Sequence, residues 1–227
     1  MKTKLKNKRS QSLITLNAPK SVISEQYRNI RTNIQYSSVD SEINSILITS
    51  SEPGDGKTTT ISNLAVTFAS LGNRVLLIDA DLRKPQLHHV FKLDNHEGLS
   101  TMLSKNLPLS ETVQKTQSVN LDVLTSGPIP PNPSELLSSK KMELLIAQMK
   151  ESYDYVLFDT PPILAVSDAQ IVTRYCDGTL LVVKSNKTEK ENIKKAKELL
   201  EFTNSNLMGV VLNGVKENKS TYYYYGE

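Results

Sequence analysis

Ile46-Leu47-Ile48-Thr49-Ser50-Ser51-Glu52-Pro53-Gly54-Asp55-Gly56-Lys57-Thr58-Thr59 decides the fold of this 227-residue chain. An aliphatic run leads into a glycine-rich turn, and the turn opens a helical stretch over residues 57–71, closed by Gly72 as a C-cap. Continuous apolar character, without alternation, marks a strand buried on both faces, as in a parallel sheet. Gly54 and Gly56 let the backbone curl so that successive N–H groups converge. The helix start adds roughly half a positive charge at the same point, which suits phosphate. Gly54, Asp55, Gly56, Lys57, Thr58 and Thr59 are therefore the candidate nucleotide-binding residues. Lys57 would reach the β- and γ-phosphates, and the Thr58 hydroxyl would ligate Mg²⁺. Ser51 stands where G-x-x-x-x-G-K-[ST] has its first glycine, so a chance glycine-rich turn is the bland alternative.

The rest of the chain weighs against that alternative. Further aliphatic runs fall at residues 75–78, 121–124, 156–158, 180–183 and 210–212, with helical stretches at 134–149, 167–176 and 188–202. Strand–helix alternation of this kind predicts right-handed βαβ units in an α/β layered domain, a mostly parallel central sheet flanked by helices. Residues 128–133, Pro-Ile-Pro-Pro-Asn-Pro, read as a stiff connection within it. Two of the runs end in acids. Ile78-Asp79-Ala80-Asp81-Leu82-Arg83 places two carboxylates one residue apart, on one face if the chain stays extended. Phe158-Asp159-Thr160-Pro161 delivers a third to a strand end, where ligands bind in open α/β sheets. Asp79 and Asp159, with Thr58, are the candidate Mg²⁺ residues, and Asp79 or Asp81 could take a proton from an incoming hydroxyl. A solvated Asp-x-Asp turn is the plain alternative for the first pair.

Composition narrows the classes further. No apolar run approaches the roughly 20 residues of a membrane-crossing helix, and the basic N-terminus lacks the apolar stretch of a secretory signal. Cys176 is the single cysteine, so it forms no internal disulfide and suits a reducing cytoplasm. With three histidines it makes no Cys/His zinc framework; His88, His89 and His96 read as surface residues of a loop. The formal charge is +3, but Lys2, Lys4, Lys6, Lys8 and Arg9 supply +5 with no acid among them. The remainder is net −2, which argues against a nucleic-acid-binding body.

Residues 1–20 read as a flexible basic arm, 21–215 as the nucleotide-binding domain, and 216–227 as a mobile tail. Ser24 is the expected N-cap of a helix from about residue 25 to 36, ahead of a polar loop over 37–45. On that helix Glu25, Arg28 and Arg31 lie three apart and share a face. Of the 9 tyrosines, Tyr222, Tyr223, Tyr224 and Tyr225 fall together near the end, beyond the last strand and after charged residues. A sticky tail or a docking strand is the bland reading of such a cluster.

Taken together, residues 51–58, 78–83 and 158–161 resemble the three nucleotide motifs of bacterial tyrosine kinases, specifically the CapB-like subunit of the Gram-positive split type. The match runs from about residue 21 to 225. It implies a P-loop NTPase-like fold, ATP and Mg²⁺ as cofactors, and autophosphorylation of Tyr222, Tyr223, Tyr224 and Tyr225 in trans. It further implies that Glu25, Arg28 and Arg31 help assemble a homo-oligomeric ring, and that Asn213 contacts adenine. A membrane-spanning activator and a cognate tyrosine phosphatase would be the partners, with no nucleic acid. The chain would be cytoplasmic and peripheral to the membrane through the activator, regulating capsular or extracellular polysaccharide synthesis. The related MinD/ParA-type positioning ATPases are the alternative. Their signature lysine would fall at position 52, where this chain has Glu52.

Overall fold

A computed structural model describes residues 13–37 and 43–215. The basic residues 2–9 and the tyrosines at 222–225 lie outside them. In chain order the elements are α1 (Ile14–Asn17), α2 (Val22–Tyr36), β1 (Ser45–Ser50), α3 (Lys57–Ala69), β2 (Val75–Asp79), α4 (Leu87–Phe91), α5 (Leu99–Lys105) and α6 (Leu109–Thr112). There follow β3 (Gln114–Lys115), β4 (Leu121–Leu124), α7 (Pro133–Leu137), α8 (Lys140–Ser152), β5 (Tyr155–Asp159), α9 (Asp168–Thr173), β6 (Gly178–Lys184), α10 (Lys190–Phe202) and β7 (Leu207–Asn213). The strands form one sheet in the order β3-β4-β2-β5-β1-β6-β7, parallel throughout except for the short antiparallel edge strand β3.

Each aliphatic run of the sequence is a strand, and the unbroken apolar pattern has the expected cause. Along β1, Ile46 and Ile48 enter the core beneath α3 with Ile61, Leu64 and Phe68. Leu47 between them enters the opposite core with Leu76, Ile78 and Phe158, under α5, α8 and α9. Both faces are sealed, so neither can be polar. Full burial of each such side chain stabilises the fold by about 1.5–3 kcal/mol before entropy is counted. β2 and β5 pair in register with Asp79 opposite Asp159, so the topology alone brings two acids separated by 80 residues side by side.

Several boundaries differ from the sequence reading. Residues 13–20, expected as the end of the flexible arm, belong to the folded domain: Leu13 is buried and α1 docks on α3, the Thr15 amide and hydroxyl donating to Asn63 Oδ1 at 3.0 and 2.9 Å. The next helix starts three residues earlier than expected, at Val22. Its cap is Ser21, whose hydroxyl accepts from the Ser24 amide at 3.2 Å, while Ser24 itself is buried and donates to the Ala18 carbonyl at 2.7 Å. The stretch expected as one helix over 134–149 is two, α7 and α8, because the Ser139 hydroxyl accepts from the Met142 amide and caps a fresh start. The histidine segment is not a loop throughout: His88 and His89 lie on α4 with ring centroids 3.9 Å apart. Among the described residues no helix is long and apolar enough to cross a membrane.

Candidate active site

The turn after β1 folds as its glycines require. Gly54 and Gly56 have φ of +83° and +101°, the left-handed region that a side chain disfavours. Gly56 also has no room to spare: a Cβ there would stand 2.0 Å from Asn213 Nδ2. Asn213 ends β7 and donates to the Asp55 carbonyl at 2.8 Å, so it closes over the loop backbone. Asp55 turns its side chain the other way. Fully buried, it accepts from the Thr188 hydroxyl at 3.0 Å and the Glu52 amide at 3.3 Å, leaving its main chain, not its carboxylate, to face a phosphate. Glu52, at the position of the signature lysine, accepts from Asn192 of α10 at 2.8 Å. Lys187 donates to the Pro53 carbonyl at 3.2 Å. The loop is thus braced from outside by the β6–α10 connection. Nothing in the local sequence of 184–192 marks that role.

Lys57 starts α3 and is only 8% exposed. Burial lowers its ammonium pKa, and the charges of Asp159, Asp81 and Asp55 oppose that fall. Asp159 and Asp79 are buried at the ends of their strands. Asp159 accepts a hydrogen bond from the Thr58 hydroxyl, yet burial outweighs that bond and the Lys57 charge and pushes its carboxyl up to about 7. Asp79 accepts from the Gln86 and Leu87 amides, each at 2.9 Å. Burial and the neighbouring Asp159 charge still raise it well above the usual carboxylate range. One oxygen of each, Asp79 Oδ1 and Asp159 Oδ1, is buried with no hydrogen-bond partner.

Asp81 departs from the alternation argument. β2 ends at Asp79, so Asp81 lies in the bend beyond it, half exposed, with Oδ1 accepting from the Lys84 amide at 2.9 Å. Its charge nonetheless reaches Lys57, Asp79 and Asp159. Arg83 joins Asp168 and Ser134, neither of which carried a motif. Thr59 remains half exposed on the first turn of α3. The oligomer residues divide: Glu25 and Arg28 pair with each other near the surface, whereas Arg31 is buried and donates to the Thr67 carbonyl of α3 at 2.9 Å. Arg31 therefore braces the phosphate-loop helix from behind instead of sharing an outward face with the other two. The cavity of about 540 Å³ between α5 and the proline-rich connection has none of Asp79, Asp81 and Asp159 in its lining.

Two orphaned carboxylate oxygens beside a threonine hydroxyl and a buried lysine fit a divalent cation and a polyphosphate. Among the described residues no three His, Cys, Asp or Glu side chains converge on one point, so the cation would complete its shell from phosphate and water. The raised acids also fix a pH dependence. Their folded pKa lies above the unfolded value near 4, so their stabilising effect is full below about pH 4 and is lost as the pH rises to about 7 for Asp159. The thermal midpoint of the ligand-free parent, relative to that of Asp159→Asn, should therefore fall between about pH 4 and 7, and Mg²⁺ with nucleotide should restore it above that range. A parent and variant that track each other across the range would contradict this assignment.

Fold and site together define a P-loop nucleotide-binding protein, and the AAA domain family matches residues 43–208. The tyrosine-protein kinase YwqD of Bacillus subtilis is 55% identical over 216 residues, covering 95% of this chain and 91% of that protein. The crystal structure of the chimerical protein CapA2B2 superposes with a TM-score of 0.89 at 45% identity, covering 91% of both chains. The septum site-determining protein MinD from Pyrococcus horikoshii, complexed with Mg-ADP, is more distant, with a TM-score of 0.64 at 25% identity over 74% of this chain and 69% of that one. The chain belongs to the bacterial tyrosine-protein kinases.

Proposed function

We propose that this kinase transfers phosphoryl groups from ATP to Tyr222, Tyr223, Tyr224 and Tyr225 of a neighbouring copy in a ring, regulating polysaccharide synthesis with a membrane-spanning activator and a cognate phosphatase. The observation that carries the reading is the pair of orphaned, raised carboxylates beside the phosphate loop, in a chain that ends in a tyrosine cluster. The chimerical nature of CapA2B2 supports a two-component system. Exposure of Glu25 and Arg28 leaves them available for contact between copies. Location would be at the inner face of the membrane, through the activator.

The chemistry asks more for positioning and charge neutralisation than for covalent steps. Lys57 and the amides of residues 54–58 would hold the phosphates of the substrate ATP, with the chain closing at Asn213 beside the base. Thr58, Asp79 and Asp159 would hold Mg²⁺, which when bound neutralises charge on the phosphate oxygens and fixes their alignment. Asp81, half exposed, is the acid that an incoming phenol can reach. It orients that hydroxyl and takes its proton, useful because a free tyrosine holds it to about pH 10. Asp55 holds the loop and does not touch the reaction.

Incubation with γ-labelled ATP and the activator's cytoplasmic segment tests the reading. Stable label should appear on the chain and be lost when residues 222–225 are replaced by Phe, with nucleotide affinity unchanged. Free phosphate released at the same rate with or without those tyrosines would instead favour a positioning ATPase.

A further inference from the structure

Arg83 follows Asp81 by two residues, in the connection that leaves β2 at the acid end of the sheet. Its guanidinium meets Asp168 through two bonds, Nε to Oδ2 at 2.8 Å and Nη2 to Oδ1 at 3.1 Å. The Ser134 hydroxyl closes the set: it donates to Asp168 Oδ1 at 2.6 Å and accepts from Arg83 Nη2 at 3.0 Å. Asp168 is fully buried, and its carboxylate is satisfied by these partners. The three residues belong to three separate segments, the bend after β2, α7 and the start of α9.

What the set holds in place is the turn bearing Asp81. Asp81 Oδ1 accepts from the Arg83 amide at 3.3 Å and the Lys84 amide at 2.9 Å, so that carboxylate is built onto the backbone that Arg83 anchors. Within the turn Leu82 is buried in the core, whereas Arg83 and Lys84 are exposed. Packing of Ala80 and Leu82 ties the chain to the core on either side of Asp81 but leaves the half-exposed Asp81 carboxylate itself, and the backbone after Leu82, without apolar support. A bidentate ion pair to a fully buried carboxylate supplies directional constraint that solvent cannot.

We propose that Asp168 is a positioning residue for phosphoryl transfer: with Ser134 it holds Arg83, and through Arg83 it holds Asp81 facing Lys57 and the phosphate loop. Asp168 itself touches neither nucleotide nor acceptor. The proposal rests on the kinase reading and adds that the geometry of its acceptor-side acid is set from α7 and α9. Asp168→Asn keeps the shape and one acceptor but removes the charge and the bidentate match.

The test uses the full chain with the activator segment, following tyrosine label in single turnover and nucleotide affinity separately. Asp168→Asn should lower kcat by about 10- to 100-fold while nucleotide affinity stays within about threefold of the parent. Ser134→Ala, which removes one contact and no charge, should show a smaller loss of the same kind. Arg83→Ala and the Arg83→Ala/Asp168→Asn double variant should lose no more than about twofold beyond Asp168→Asn alone, because all three release the same turn. Added guanidinium should restore part of the activity of Arg83→Ala, where the Asp168 carboxylate can still bind it, but none in the double variant. Should Asp168→Asn fail to fold, the Ser134→Ala split and the guanidinium rescue decide the question. Parental kcat in Asp168→Asn, losses that multiply in the double variant, or affinity falling in step with kcat would overturn the proposal. A parent chain that takes up no label would overturn the kinase reading and this proposal with it.

Discussion

Lys57→Met should reduce tyrosine labelling by on the order of 10²–10³-fold, the range seen when one preorganised donor is removed from developing charge. Lys57 is 8% exposed, and the charges of Asp159, Asp81 and Asp55 favour its ammonium against the cost of burial. Met has a similar length and keeps the packing at the start of α3, so the fold should survive. What disappears is the one cation that the chain's phosphate loop sets among three acids, just where a triphosphate brings more negative charge. Nucleotide affinity should fall together with the rate. In the same variant the Asp159 carboxyl should titrate higher still, because Lys57 is one of the two influences that hold it down. Retention of a tenth or more of parental labelling would sink the assignment.

Asp79→Asn should separate stability from activity. In the parent, two buried acids pair across β2 and β5, and burial together with the Asp159 charge raises the cost of ionising Asp79. An amide oxygen at position 79 can still accept from the Gln86 and Leu87 amides, now served by Oδ2 at 2.9 Å. The new NH₂ group would occupy the place of the orphaned Oδ1 and present a donor toward the like-charged neighbour. The ligand-free variant should therefore melt about 2–4 °C above the parent at neutral pH. Kinase activity should fall by on the order of 10²-fold or more, because a neutral amide is a poor Mg²⁺ ligand. Calorimetry and labelling on the same preparation check both halves. A variant that is both less stable and fully active would contradict the view that Asp79 is kept strained for a cation.

Much of the site was legible because it is local. The glycines of the loop, the lysine and threonine that open α3, and the acids closing β2 and β5 each follow from a short pattern with a backbone reason. The aliphatic runs announced a sheet buried on both faces, and each became a strand, but on the edge strand β7 Val210 and Leu212 stay exposed, because among the described residues no strand or helix covers that side. Misreadings cluster where two local signals competed. Ser24 resembles a cap, but Ser21 is better placed once α1 packs on α3 and Ser24 is turned inward. Ser138-Ser139 could sit within a helix or restart one, and the hydroxyl of Ser139 chose the restart. Arg31 shares spacing with Glu25 and Arg28, yet which helix face meets α3 is decided by packing, and that face includes Arg31.

Sequence alone determined the fold class, the nucleotide loop and the identity of the acids, since each depends on residues adjacent along the chain. Only the tertiary structure decided how they act together. It set Asp79 against Asp159 through strand order and register, turned the Asp55 carboxylate away from phosphate onto Thr188, and tied Arg83 to Asp168 and Ser134 across 85 and 51 residues. Those relations arise from parallel pairing and long crossovers, in which partners close in space are far apart in the chain. No local propensity encodes them, and the shifted protonation of the acids exists only because the finished core excludes water from them.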